Sequence, residues 1–206
     1  MNYTDIIEDS KNIIAARGID MESLYGDDLY HHCMNVAYLS VQLGIKIGMD
    51  LHELIALSMG ALLHDIGKTA IDNAILNKPD KLTEEERLVI ETHPVLGYHY
   101  LWSLDNQDLS KKREKDEKVV QVTLFPKAVM DAVLYHHEKL DGSGYPSHRK
   151  DIPLMVQLIT VADVYEAIRA KRVYRDANAP KDAYAVVKEM NGLNKDAVRL
   201  LGELVE

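Results

Sequence analysis

His64 and Asp65 stand side by side after an apolar run, Leu54 to Leu63. An imidazole and a carboxylate on neighbouring residues suit a divalent transition metal. Lys68, just past Gly67, would add a positive charge close by, and Gly67 would allow a turn. A His-Asp pair alone says little, because such pairs occur by chance. Its weight depends on further ligands. Four more of the nine histidines, His32, His93, His136 and His137, fall at helix ends or starts beside acidic, Gly or Pro residues. Asp163 follows the apolar stretch Leu158-Ile159-Thr160-Val161-Ala162. A carboxylate buried there is costly without a partner. It lies too far inside its helix to be an N-cap, so metal ligation explains it better. Together these residues offer seven nitrogen and oxygen donors, enough for two metals sharing a carboxylate. The chemistry expected of such a pair is hydrolysis, with water made nucleophilic near neutral pH and charge stabilised on a phosphoryl oxygen. The plainer alternatives are a surface place for His32 beside His31, loop roles for Glu138 and Asp141, and simple packing for Tyr145.

The elements that must position these residues read as helices. A first helix over 4–17 has Thr4 as its cap and Ile6, Ile7, Ile13 and Ile14 as its stripe. A long helix over 28–48 carries His32 near its start and ends at Gly48. Asp50 caps the next, which runs into His64-Asp65. Residues 70–82 read as a loop. Thr83 and Glu86 form a capping box for a helix to about Glu91, and His93-Pro94 opens another. Residues 105–118 are strongly polar and read as a solvated loop or helix extension, with a docking surface for a protein partner or homodimer as the lesser reading. Pro126 opens a helix that ends at His136-His137-Glu138, followed by a turn-rich loop, 141–146. Helices from Pro153 to Ala170, Pro180 to Met190 and Asn194 to Val205 complete the chain, with no linker dividing it.

Composition agrees with a helical domain. Of 206 residues, 47% are hydrophobic and only 6% aromatic, so the core is mostly aliphatic. A single cysteine, Cys33, excludes an intrachain disulfide framework and fits a reducing compartment. No apolar run is long enough to span a bilayer, and the first residues lack the pattern of a signal peptide. A cytoplasmic protein without membrane contact is therefore expected. The net charge of −9 argues against coating duplex nucleic acid. An acidic chain can still take a phosphodiester if metal ions and local Lys or Arg reverse the field at the site.

The chain resembles the HD-GYP domain, a branch of the HD phosphohydrolase superfamily. The resemblance rests on segments in family order over about residues 28–190. They are His32 to Ala37, His64-Asp65-Ile66-Gly67-Lys68, Ile75 to Pro79 with Lys81-Leu82-Thr83, and His93 to Gly97. The most specific is His136-His137-Glu138 through Asp141-Gly142-Ser143-Gly144-Tyr145-Pro146, followed by Val161 to Tyr165 and Arg172 to Arg175. The resemblance implies an all-α fold, a single helical bundle holding the metals, with residues 1–27 as a helical lead-in to an HD-GYP domain over 28–206. It implies His32, His64, Asp65, His93, His136, His137 and Asp163 as ligands of two divalent metals, with Asp65 as the bridge. Iron or manganese is usual, and zinc, nickel or magnesium are alternatives. Lys68 matches the lysine that contacts the scissile phosphate, Arg172 and Arg175 match positions that hold substrate phosphates, and Tyr145 lines the pocket. The implied activity is hydrolysis of cyclic di-GMP to linear pGpG, in some members onward to GMP. A weakly catalytic binding module, or an enzyme for another nucleotide, are the other readings. Three departures stand out. Where some members hold a third metal through a Glu, this chain has the shorter Asp28, which counts against that ion. The 105–118 run lengthens the connection from His93 to His136. No sensory domain is expected within these 206 residues.

Overall fold

The computed structural model describes residues 2–112, 124–170 and 178–205. Among them are ten α-helices and a 3-10 helix, with no strand. The all-α expectation holds. The organising element is α3 (Leu51–Leu63), in which Leu54 and Leu57 to Leu63 are buried. A helix apolar on nearly every side must be wrapped by others. Here α1 (Tyr3–Ala16), α2 (Met21–Lys46), α7 (Lys127–Tyr135) and α8 (Leu154–Arg169) pack around it. The last two helices, α9 (Pro180–Glu189) and α10 (Lys195–Val205), pack on each other and on α8, and α10 also reaches α2. Ile6, Ile7 and Ile14 of α1 join the same core as Leu57, Val129 and Ile159. Among the described residues no helix is long and apolar enough to cross a membrane.

Local chemistry sets the boundaries. Asp50 and Glu53 form a reciprocal capping box at the start of α3, and Thr83 and Glu86 form another at the start of α5 (Glu84–Ile90). Each satisfies two backbone donors that a helix start leaves open. Pro126 and Pro153 stand just before α7 and α8. The first helix is capped by Asn2, whose side chain accepts from the Thr4 amide, rather than by Thr4. The second begins at Met21, earlier than residue 28. Gly26 interrupts it with φ 67 and ψ 171, a conformation open to glycine, so only the part beyond Gly26 runs on continuously to Lys46. The expected loop over 70–82 holds the end of the 3-10 helix (Ile66–Ala70) and the short α4 (Asn73–Leu76), which the Asp72 side chain caps. The polar run continues α6 (His93–Lys112), the helix-extension reading, as far as Lys112, and residues 113–118 lie outside the described residues.

Two close backbone approaches hold the site together. A Cβ on Gly60 would come within 2.9 Å of the Ala132 Cβ, so α3 and α7 cross there almost backbone to backbone. A Cβ on Gly67 would lie 1.9 Å from the His93 carbonyl oxygen and 2.5 Å from the Gly97 amide nitrogen. Gly67 is therefore needed for contact rather than for a turn. It lets the 3-10 helix lie against the first turn of α6 and sets Asp65 beside His93. Backbone cannot yield as a flexible side chain can. Gly67→Ala should cost about 3 kcal/mol and lower the midpoint of thermal unfolding by roughly 6–12 °C. An unchanged midpoint would rule out this approach.

Candidate metal centre

Three helix ends point at one place. His64 follows α3, His93 follows α5, and His136 follows α7. The last four carbonyls of a helix lack intrahelical donors, and each of these histidines uses one. The Nδ1–H of His64 donates to the Ala61 carbonyl at 2.7 Å, that of His93 to Ile90 at 2.7 Å, and that of His136 to Val133 at 3.0 Å. A carbonyl can only accept, so Nδ1 carries the proton and Nε2 presents a lone pair. The negative ends of the three helix dipoles also favour a cation among them.

Asp65 occupies the middle. Its Oδ1 lies 3.0 Å from His93 Nε2 and 3.7 Å from His136 Nε2. Its Oδ2 lies 3.4 Å from His32 Nε2, 3.3 Å from His64 Nε2 and 2.5 Å from Lys68 Nζ. Asp163 stands across the second cluster, 3.2 Å from His32 Nε2 and 3.8 Å from His64 Nε2. Its other oxygen is 3.9 Å from His137 Nδ1. Donor atoms fall into two adjacent groups of metal-binding dimensions: Asp65, His93, His136 and His137, and then His32, His64 and Asp163. All seven residues expected to converge do so. The Cys33 sulfur also lies near His64 and Asp65, a neighbour to which the sequence reading gave no role at the site.

These residues fit a cation better than they fit one another. His93 Nε2 and His136 Nε2 lie 3.1 Å apart, and with both Nδ1 atoms protonated two lone pairs face each other. Buried His64 Nε2 and Asp65 Oδ1 have no hydrogen-bond donor. Unpaired buried polar atoms are expensive, and a divalent ion would satisfy all of them.

Electrostatics point the same way. Burial alone would lift the Asp65 carboxyl, but the Lys68 ammonium and the His64 ring hold it well below the usual carboxylate range. Asp163, also buried, is held low by its hydrogen bond to His32. Burial pushes His136 down to about 4 and, with His136 alongside, His137 well below its usual value, so both rings are neutral. His32 behaves differently. Burial opposes its charge, but hydrogen bonds to Asp163, Asp65 and Glu166 raise it well above the usual histidine value. Lys68 stays charged because Asp65 outweighs its burial.

The loop after α7 builds one wall. Gly142 takes φ 83, and a Cβ on Gly144 would lie 2.3 Å from the His137 carbonyl oxygen, so the chain folds tightly back on itself. That brings the Tyr145 ring onto His137, with ring centres 4.6 Å apart. Burial keeps the Tyr145 hydroxyl protonated. Glu138, buried, accepts from the Ser147 amide at 2.6 Å and ties the loop down. On the other side a cavity of about 390 Å³ opens between the start of α2 and the α4 turn. His32, Lys68, Asp28, Asn73 and Asn77 line it. Arg172 and Arg175 lie outside the described residues. Two buried carboxylates escaped the sequence reading as working residues: Glu138, weighed only as part of a loop, and Glu166. Glu166 follows Asp163 by three residues in the same apolar helix, which was a usable signal.

Known proteins agree with this geometry. A family model for the HD domain matches residues 4–197. The cyclic di-GMP phosphodiesterase response regulator RpfG of Xanthomonas campestris is 35% identical over 71% of this chain and 35% of its own length. The cyclic di-GMP phosphodiesterase PA4108 of Pseudomonas aeruginosa is 32% identical over 84% of this chain and 39% of its own. The 3′3′-cGAMP-specific phosphodiesterase 3 of Vibrio cholerae is 33% identical over 77% and 31%. The chain thus spans about a third of the length of these relatives. Among solved structures, an HDGYP protein of Bdellovibrio bacteriovorus superposes with a TM-score of 0.65 over 98% of this chain and 63% of that one, at 18% identity, a likeness of fold. Fold, motif order and family match together place the chain in the HD domain family, in its HD-GYP branch.

Proposed function

We propose that this chain is a metal-dependent phosphodiesterase that hydrolyses cyclic di-GMP to linear pGpG, and onward to GMP if the linear product is retained. The observation that carries this reading is the meeting of seven donor side chains, Asp65 central among them, beside a cavity that also holds Lys68. Asp65, His93, His136 and His137 would hold one ion, iron or manganese. His32, His64 and Asp163, with the second oxygen of Asp65, would hold the other. Such a pair supplies Lewis acidity, which makes water nucleophilic near neutral pH and offsets charge on the phosphoryl oxygens.

The chain's own groups place the substrate. Lys68, charged and 2.5 Å from Asp65, faces the cavity and would meet a non-bridging oxygen of the scissile phosphate. Tyr145, stacked on His137, offers a protonated hydroxyl as a donor and a ring as a wall. Arg172 and Arg175 would hold the phosphates. In the reaction, water adds at one phosphodiester phosphorus, and the ribose 3′ oxygen leaves and takes up a proton. The product is a linear dinucleotide with a 5′-phosphate.

A second reading has its own support. Several relatives, including the Vibrio cholerae protein above, carry names specific to 3′3′-cGAMP. A mixed cyclic dinucleotide is therefore the competing substrate. A binding module without turnover has less support, because no donor of the cluster is missing. Anaerobic purification, metal analysis and product analysis on one sample, with both dinucleotides in parallel, tests these readings. Faster formation of pGpG is expected. Faster opening of cGAMP favours the second reading, and binding without product under iron, manganese or nickel would sink catalysis.

Asp65→Ala should take up neither metal and show no turnover, while its far-ultraviolet circular dichroism stays helical. Retained activity with manganese added would refute the role of Asp65. Metal affinity should also depend on pH. His32 is protonated in the metal-free protein at neutral pH because its folded value is raised, and it must lose that proton to ligate. Affinity should therefore rise with pH, roughly tenfold per unit while His32 still carries the proton. Isothermal titration at several pH values, in buffers of different ionisation heat, counts the proton released. No release would contradict this account of His32.

A further inference from the structure

His64, His93 and His136 take their orientation from carbonyls at helix ends. His32 cannot. It lies inside the continuous part of α2, where carbonyls already accept from amides one turn on. Its Nδ1 must find a side chain, and the one it meets is Glu166 Oε2, in a short hydrogen bond. Glu166 is 4% exposed. Its other oxygen accepts from Asn35 Nδ2 at 3.2 Å. Asn35 stands three residues after His32 on the same helix, and Glu166 three residues after Asp163 on α8. One carboxylate thus ties the helix bearing His32 to the helix bearing Asp163.

We propose that Glu166, steadied by Asn35, is the positioning residue of His32 and through it sets the affinity of the His32–His64–Asp163 metal position alone. The inference rests on the metal-centre reading above. A carboxylate behind an imidazole fixes the tautomer, aims the ring and makes Nε2 a stronger donor. The other metal position has only carbonyl partners behind His93 and His136. The two positions are therefore unequal by construction: a carboxylate outside the ligand set backs His32, whereas carbonyls back His93 and His136 and the Tyr145 ring lies on His137.

Manganese titration of the metal-free full chain, with free ion counted by electron paramagnetic resonance, tests this directly. The wild-type chain should take up two ions. Glu166→Ala should keep one ion at wild-type affinity and bind the other about 10- to 100-fold more weakly. Glu166→Gln keeps an acceptor oxygen but no charge, so its loss should be intermediate. Asn35→Ala should weaken the same position by less. The melting temperature of the metal-free Gln variant should match wild type. If the Ala variant fails to fold, Glu166→Gln and Asn35→Ala carry the test. Equal weakening of both positions, or no weakening, in a protein whose wild type binds two ions overturns the role of Glu166. A wild-type chain that takes up no ion overturns the metal centre itself.

Discussion

The constraint on which everything else depends is the burial of the Asp65 carboxylate. It is 1% exposed, and one of its oxygens has no hydrogen-bond donor. A charge in that position is tolerable only if positive charge surrounds it. Lys68 supplies one such charge from three residues away, and His32 supplies another from a different helix. The remaining neighbours are imidazoles whose lone pairs point the same way. The metal-free centre is thus an assembly of acceptors held together by two cations that a divalent ion could relieve.

The fold is arranged to bring that assembly together. Apolar α3 is buried from Leu57 to its end, so that end, with His64 and Asp65, emerges in the interior rather than at the surface. Gly60 lets α7 cross closely, and Gly67 lets the 3-10 helix lie on α6. These contacts convert three separate helix ends into one polar chamber. Polar residues collect there because helix ends carry unpaired carbonyls that need donors. The same carbonyls would be a liability in an apolar core, and here the histidines satisfy them.

Much of this was legible in the sequence because it is local. A histidine directly after an apolar run marks a helix end, and Asp163 betrays itself by interrupting a buried face. The capping residues Asp50 and Thr83 could be placed by spacing alone. What escaped depends on distance. Gly67 read as a turn residue because its real neighbour, the His93 backbone, lies 26 positions away in the chain. The helix was expected from residue 28, and the helical turn from Met21 up to the Gly26 break was missed because so short a stretch carries no apolar repeat. Glu166 went unnoticed although it obeys the rule that exposed Asp163. Its partner, His32, is 134 residues distant, and no pattern along one helix reports a contact to another.

The carbonyl anchors have a consequence for how such a centre can fail. Each of His64, His93 and His136 is aimed by backbone within its own few residues. Losing one imidazole leaves the others aimed as before. Damage is therefore modular: a lineage that sheds a single histidine would keep a chamber of the same shape. Asp65 is the exception, since it serves both halves. In a descendant whose centre is decaying, the first substitutions would be expected among the histidines, with that aspartate kept longest.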